Sequence, residues 1–202
     1  MNLRTAISCV CSAFALLVGV QVVSASPPPG VSWAAKAGGT GYDIGYGISA
    51  LPDGSSIVTG YFEGNAVFGG TTLTSAGGSD VFTAKMNADG TWAWAAKAGG
   101  TGSDVGYGVS ALPDGSSIVT GRFHGTATFG STTLTSTGDF EVFTAKMNAD
   151  GTWAWATSAG GTGSDAGYGV SALPDGSSIV TGYFSDTATF GSTTLTLSLI
   201  HI

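Results

Sequence analysis

Ser49-Ala50-Leu51-Pro52-Asp53-Gly54-Ser55-Ser56-Ile57-Val58-Thr59-Gly60 recurs letter for letter as Ser110 to Gly121 and again as Ser171 to Gly182, 61 residues apart each time. Trp33, Trp94 and Trp155 keep the same spacing without a gap, as do Phe68, Phe129 and Phe190. A fixed period of this kind marks a repeat architecture, in which each copy buries its apolar faces against the next. Within the repeated run, Pro-Asp-Gly is turn chemistry: proline presets φ and glycine takes the positive-φ place. The Ser-Ser-Ile-Val-Thr-Gly that follows reads as a strand.

Outward from that run the second copy reads as strands throughout, because glycine, threonine, valine and aromatics dominate and amphipathic helical spacing is absent. Strands are expected at Tyr107 to Leu112, Ser116 to Phe123, Glu141 to Met147 and from Thr152 to Ala156. A small hairpin is expected at Ala127 to Phe129 and Thr132 to Thr135, and Asn148-Ala149-Asp150-Gly151 is another tight turn. Pairs such as Ile118-Val119 and Val142-Phe143 put apolar groups on both faces of a strand, which suits sheets packed between sheets. The expectation is an all-β β-propeller fragment with roughly four strands per 61-residue blade, and a β-solenoid as the alternative.

The second copy also carries linked motifs: Lys97-Ala98-Gly99-Gly100-Thr101-Gly102-Ser103-Asp104, Gly106-Tyr107-Gly108-Val109, Ser117-Ile118-Val119-Thr120-Gly121 and Ala127-Thr128-Phe129-Gly130. Together they resemble the bacterial SBBP-type β-propeller repeat across residues 33 to 196. The sequence departs from that pattern at Asp-Gly-Ser-Ser-Ile-Val, where the family more often has Gly-Asn and an aromatic. The resemblance implies an extracytoplasmic propeller and brings no catalytic residues with it.

The flanks divide the chain further. Arg4, the apolar run Ala6 to Val23 and the small residues Val23-Ser24-Ala25 read as a signal peptide over 1–25, cleaved after Ala25, with an uncleaved membrane anchor as the rival. Residues 26–32 are a proline-rich linker, and the copies occupy 33–93, 94–154 and an interrupted 155–196. Residues 197–202, Leu-Ser-Leu-Ile-His-Ile, depart from both earlier copies. They read as the translation of a transposon-end sequencing adapter, CTG TCT CTT ATA CAC ATC, foreign to the protein. Cys9 and Cys11 both lie in the leader, so the mature chain has no disulfide and no membrane span.

Composition narrows function by exclusion. Glycine supplies 34 of 202 residues and charged residues only 9%, against roughly 25% in an ordinary soluble domain. With 6 basic against 13 acidic groups the chain cannot neutralise many phosphates, so no nucleic-acid partner is expected. Nucleophilic catalysis needs a base beside the nucleophile. His124 is the one histidine between leader and adapter-like tail, and its counterparts are Glu63 and Ser185, so no repeated Ser-His-Asp set exists. Glu63 and Glu141 are the only glutamates, and no Gly-x-x-x-x-Gly-Lys phosphate loop occurs.

Metal and ligand candidates follow from the repeats. Asp53, Asp114, Asp175, Asp89 and Asp150 precede glycine and read as turn residues. Asp43, Asp104 and Asp165 stand in glycine-flanked loops and are the calcium candidates, although no cofactor is the leading expectation. Gly99 to Asp104 matches the start of a calcium nonapeptide, but Gly106 replaces the apolar residue and the copies stand too far apart to share ions. Trp92 with Trp94, and Trp153 with Trp155, share a strand face and are expected to pack.

The near-identical copies differ at Tyr61/Arg122/Tyr183, Glu63/His124/Ser185 and Asn65/Thr126/Thr187, whereas Phe62/Phe123/Phe184 is constant. Alternation aims phenylalanine inward and its neighbours elsewhere. Tyr61, Glu63, Arg122, His124 and Tyr183 therefore form a candidate recognition rim for a protein or carbohydrate. The expected function is a secreted or cell-surface binding scaffold. The alternative is an extracellular propeller enzyme with its active-site loops or catalytic domain beyond residue 196.

Overall fold

The computed structural model describes residues 3–9, 16–23 and 31–197, with side chains from residue 33 onward. The expected cleavage site, most of the linker and residues 198–202 lie outside these. β1 (Leu3–Cys9) and β2 (Leu16–Val23) form an antiparallel pair, and β2 pairs in turn with β3 (Val31–Gly39). The first full unit comprises β4 (Asp43–Ala50), β5 (Ser56–Phe68), β6 (Thr71–Met86) and β7 (Trp92–Gly100). The second repeats it as β8 (Val105–Ala111), β9 (Ser117–Phe129), β10 (Thr132–Met147) and β11 (Trp153–Gly161). The third consists of β12 (Ala166–Ala172), β13 (Ser178–Tyr183), β14 (Thr187–Phe190) and β15 (Thr193–Thr196).

All pairings are antiparallel and the described residues contain no helix. Short links such as Gly38↔Val67 and Gly99↔Thr128 join successive units into one open sheet path, which runs from β1 to β15 without closing on itself. The Trp92–Gly100 strand belongs to the sheet before it, through Val81↔Ala98 and Lys85↔Trp94, so sheet grouping is offset from the 33–93 sequence frame.

The small hairpin expected at 127–135 forms, with Thr132 opposite Phe129 and Leu134 opposite Ala127, but as the tip of a longer hairpin and not as a separate element. Its strands are the outer halves of β9 and β10, continuous with the inner halves across a register shift between Thr135 and Phe140. Gly125, at φ 73, absorbs the irregularity, so the ladder resumes beyond it. In the third unit Asp186 stands at that position with φ 60, a conformation costly for a residue with a Cβ. There the long strand is split into β13 and β14.

The cores of the first two units are phenylalanine set between sheets. Phe62, Phe68 and Phe82 are buried in the first unit and Phe123, Phe129 and Phe143 in the second. The second core also takes in Leu51, Ile57 and Val81 from the first unit, so the two units share an interior. β8 lies across β4 and β5 to make this contact. A Cβ on Gly106 would come within 2.3 Å of Thr59 Oγ1, and one on Gly167 within 2.3 Å of Thr120 Oγ1, so glycine sets the close approach at both junctions.

Trp33, Trp92, Trp94 and Trp153 pack as expected, with a polar anchor added, whereas Trp155 is 39% exposed, against the expectation. Trp33 donates through Nε1 to Ala88 O (3.2 Å) and Trp94 to Ala149 O (3.1 Å), each lying over the glycine of the next Asn-Ala-Asp-Gly turn. Trp92 and Trp153 reach back to Lys36 O and Lys97 O.

Candidate functional site

Tyr46, Tyr107 and Tyr168 occupy one position in β4, β8 and β12, and the junctions bring their rings together. Ring centroids are 5.1 Å apart for Tyr46–Tyr107 and 5.0 Å for Tyr107–Tyr168, both edge to face. Tyr61 extends the row at 6.2 Å from Tyr46, and Tyr183 at 5.7 Å from Tyr168. Tyr46 is 47% exposed and Tyr168 51%, so rings and phenolic hydroxyls line an open surface. Burial, with neighbouring phenols and acids, raises the Tyr61 hydroxyl pKa; burial also raises that of Tyr107, against the pull of Arg122. Both phenols stay protonated at neutral pH and present a donor.

Arg122 replaces tyrosine on β9 and keeps an aromatic setting. Its guanidinium lies 4.1 Å from the Phe140 ring centroid and 5.8 Å from that of Tyr107. Among the described residues Arg122 Nε is buried without a hydrogen-bond partner, and the stem is held by packing.

Three rim residues read from the sequence, Tyr61, Arg122 and Tyr183, therefore belong to this row. Glu63 and His124 stand two residues further along the same strands, at the loops of the repeated aspartates. The His124 ring packs on Phe140 at 5.6 Å, and its Nε2 lies 3.9 Å from Asp139 Oδ1. Tyr46, Tyr107 and Tyr168 were legible only as part of the Gly-Tyr-Gly motif. Their invariance hid them from a search for positions that vary.

Asp43, Asp104 and Asp165 work as backbone clasps. Asp104 Oδ2 accepts from Gly100 N (2.8 Å) and Oδ1 from His124 N (3.1 Å), tying the loop to β9. Asp165 does the same with Gly161 N (2.9 Å) and Ser185 N (3.0 Å), and Asp43 Oδ2 accepts from Gly39 N (2.7 Å). A second buried carboxylate stands beside two of them, Asp80 near Asp104 around Gly99 and Glu141 near Asp165 around Gly160. Burial pushes the Asp104 carboxyl up to about 6, the two backbone donors notwithstanding, and Asp80 adds to the rise. Lys97 Nζ lies 3.7 Å from Asp80 Oδ2 and supplies a positive charge there. No three His, Cys, Asp or Glu side chains converge among the described residues.

The turn aspartates behave as the sequence implies. Asp53, Asp114 and Asp175 each accept from the backbone N and Oγ of the serine two residues on, which lowers their pKa. Among the described residues the His124 side chain faces Asp139 and Phe140, with no serine or threonine hydroxyl hydrogen-bonded to it. No family model matches this chain, and no curated protein is significantly similar to it.

Proposed function

We propose that this chain is an extracytoplasmic binding scaffold of the bacterial SBBP-type β-propeller kind, exported by its first 25 residues, and that it performs no catalysis itself. The tyrosine row carries the reading. Five rings on one open surface, three at a position repeated in every unit with Tyr61 and Tyr183 flanking them, form an extended apolar strip edged with hydroxyl donors on a chain with few charges. A glycan chain has matching chemistry, with apolar ring faces to stack on tyrosine and hydroxyls to pair with phenols. A protein partner is the second reading, favoured by Arg122 between Phe140 and Tyr107, since arginine and tyrosine dominate protein interfaces.

The test is affinity electrophoresis of the full chain against a panel of linear neutral polysaccharides. Retardation by at least one, reduced on the order of tenfold by Tyr107→Ala with the fold intact, is expected. A panel that retards nothing, or a Tyr107→Ala chain that binds like wild type, contradicts the glycan reading. Export is tested separately by the N-terminal sequence of the secreted chain, expected to begin at Ser26.

A further inference from the structure

Arg122 is the chain's one arginine besides Arg4, and it stands where both other copies place tyrosine, Tyr61 and Tyr183. Two further changes accompany it. Against the first copy, Phe140 replaces Ser79 and His124 replaces Glu63. The ladder gathers all three: Phe140 lies opposite His124 and Val142 opposite Arg122, so Phe140 sits diagonal to Arg122 on the neighbouring strand. At this one place the second unit therefore gains a cation and a ring to hold it, and loses an acid.

The guanidinium is held yet unpaired. It lies 4.1 Å from the Phe140 ring centroid and 5.8 Å from that of Tyr107, the central ring of the row. Among the described residues it forms no ion pair and donates no hydrogen bond. Acids on the adjoining segments are engaged elsewhere. Glu141 accepts from Thr137 N at 2.7 Å, Asp104 accepts from Gly100 N and His124 N, and Asp139 faces His124. Contact with rings holds a guanidinium in place but leaves its in-plane N–H donors unused. A planar fork of that kind matches a carboxylate, with two parallel charge-assisted hydrogen bonds.

We propose that the glycan taken by the tyrosine row is an acidic one, with a uronic acid carboxylate held by the terminal nitrogens of Arg122 while neighbouring sugars stack on Tyr46 and Tyr107. This rests on the glycan reading above and adds to it the charge of the ligand and the residue that reads it. Because the chain as a whole is acidic, the preference comes from local fit at Arg122 and not from long-range attraction.

Affinity electrophoresis of the full chain tests this, in gels that hold matched pairs of polymers at about 0.15 M salt, where charges more than about 8 Å apart are largely screened. The pairs are polygalacturonate with its full methyl ester, and carboxymethyl cellulose with hydroxyethyl cellulose. The acidic member of at least one pair is expected to retard the chain on the order of fivefold more strongly than its neutral partner. Arg122→Tyr installs the residue of the two other copies and is expected to bring that ratio to about one, as is Arg122→Gln, which keeps part of the stem without the charge. Circular dichroism checks the fold of both variants. Equal retardation by the two members of each pair overturns the proposal and leaves glycan binding standing. So does a folded Arg122→Tyr or Arg122→Gln chain that keeps the wild-type ratio. Retardation by no member of either pair overturns the proposal and, with a neutral panel that also retards nothing, the glycan reading as well.

Discussion

The second and third units contain the same Leu-Pro-Asp-Gly-Ser-Ser-Ile-Val-Thr-Gly, yet Ile118 is buried and Ile179 exposed. The local hydrogen bonds of the two runs are alike, down to Asp114 and Asp175 accepting from Ser116 and Ser177. What differs is the neighbour. Among the described residues Ile118 has β12 packed beyond its strand and Ile179 has no such neighbour, so the unit that follows contributes to a unit's interior. Stability in such an array is approximately a sum of unit and junction contributions, and here the junction supplies much of the apolar burial.

The largest effect that can break this comparison is at phenylalanine. Phe123→Ala is expected to cost about 3–5 kcal/mol by leaving a cavity in the shared core. Phe184→Ala, at the half-buried equivalent, is expected to cost less than half of that. Urea denaturation followed by tryptophan fluorescence measures both, and equal losses would mean that the third unit's core is as complete as the second's.

Next comes pH at the first junction. Asp104 has a folded pKa of about 6 against an ordinary value of 3.8, so its contribution favours the folded state most when it is protonated. Its stabilisation is full below about pH 4 and lost as pH rises through 6, a change of about 3 kcal/mol for a shift of this size. The turn aspartates act in the opposite sense, because a lowered pKa gives stability above pH 4 that is lost on further acidification. Urea midpoints from pH 4.5 to 7.5 are expected to fall with rising pH, and Asp104→Asn to flatten the decline. An unchanged slope in that variant would place the cause elsewhere.

A smaller effect sharpens the contrast at the strand break. Asp186→Gly relieves a positive φ and is expected to stabilise the third unit by about 1 kcal/mol, with Gly125→Asp costing about as much in the second. Hydrogen exchange of amides in β13 and β14 reports the first, urea midpoints the second. The smallest difference is expected at the turns. Asp114→Ala and Asp175→Ala should each lower stability slightly, and by nearly the same amount, because the lost bonds are local. A markedly larger loss at Asp114 would tie the turn to the junction.

The repeat, the strands and the inward phenylalanines could be read directly, since Pro-Asp-Gly turns and period-two alternation are local signals. The continuity of β9 and β10 could not, because Gly125 looks like a strand end until the register on its far side is known. The clasp role of Asp104 was hidden for the same reason: its partners are four residues before it and twenty after, and only the fold brings Gly100 and His124 to one carboxylate. Rim residues Tyr61 and Arg122 were visible as variable positions. Tyr107 does not vary, and its place in the row depends on a junction that sequence spacing alone does not describe.

Native-state hydrogen exchange in β9 and β13, in a solution dilute enough to be monomeric, tests most directly whether the unit that follows contributes to a unit's interior. Amides of Ile118–Gly121 are expected to exchange only through global unfolding, and those of Ile179–Gly182 faster on the order of 100-fold or more, through local opening of the third unit. Equal protection of the two segments would contradict the account.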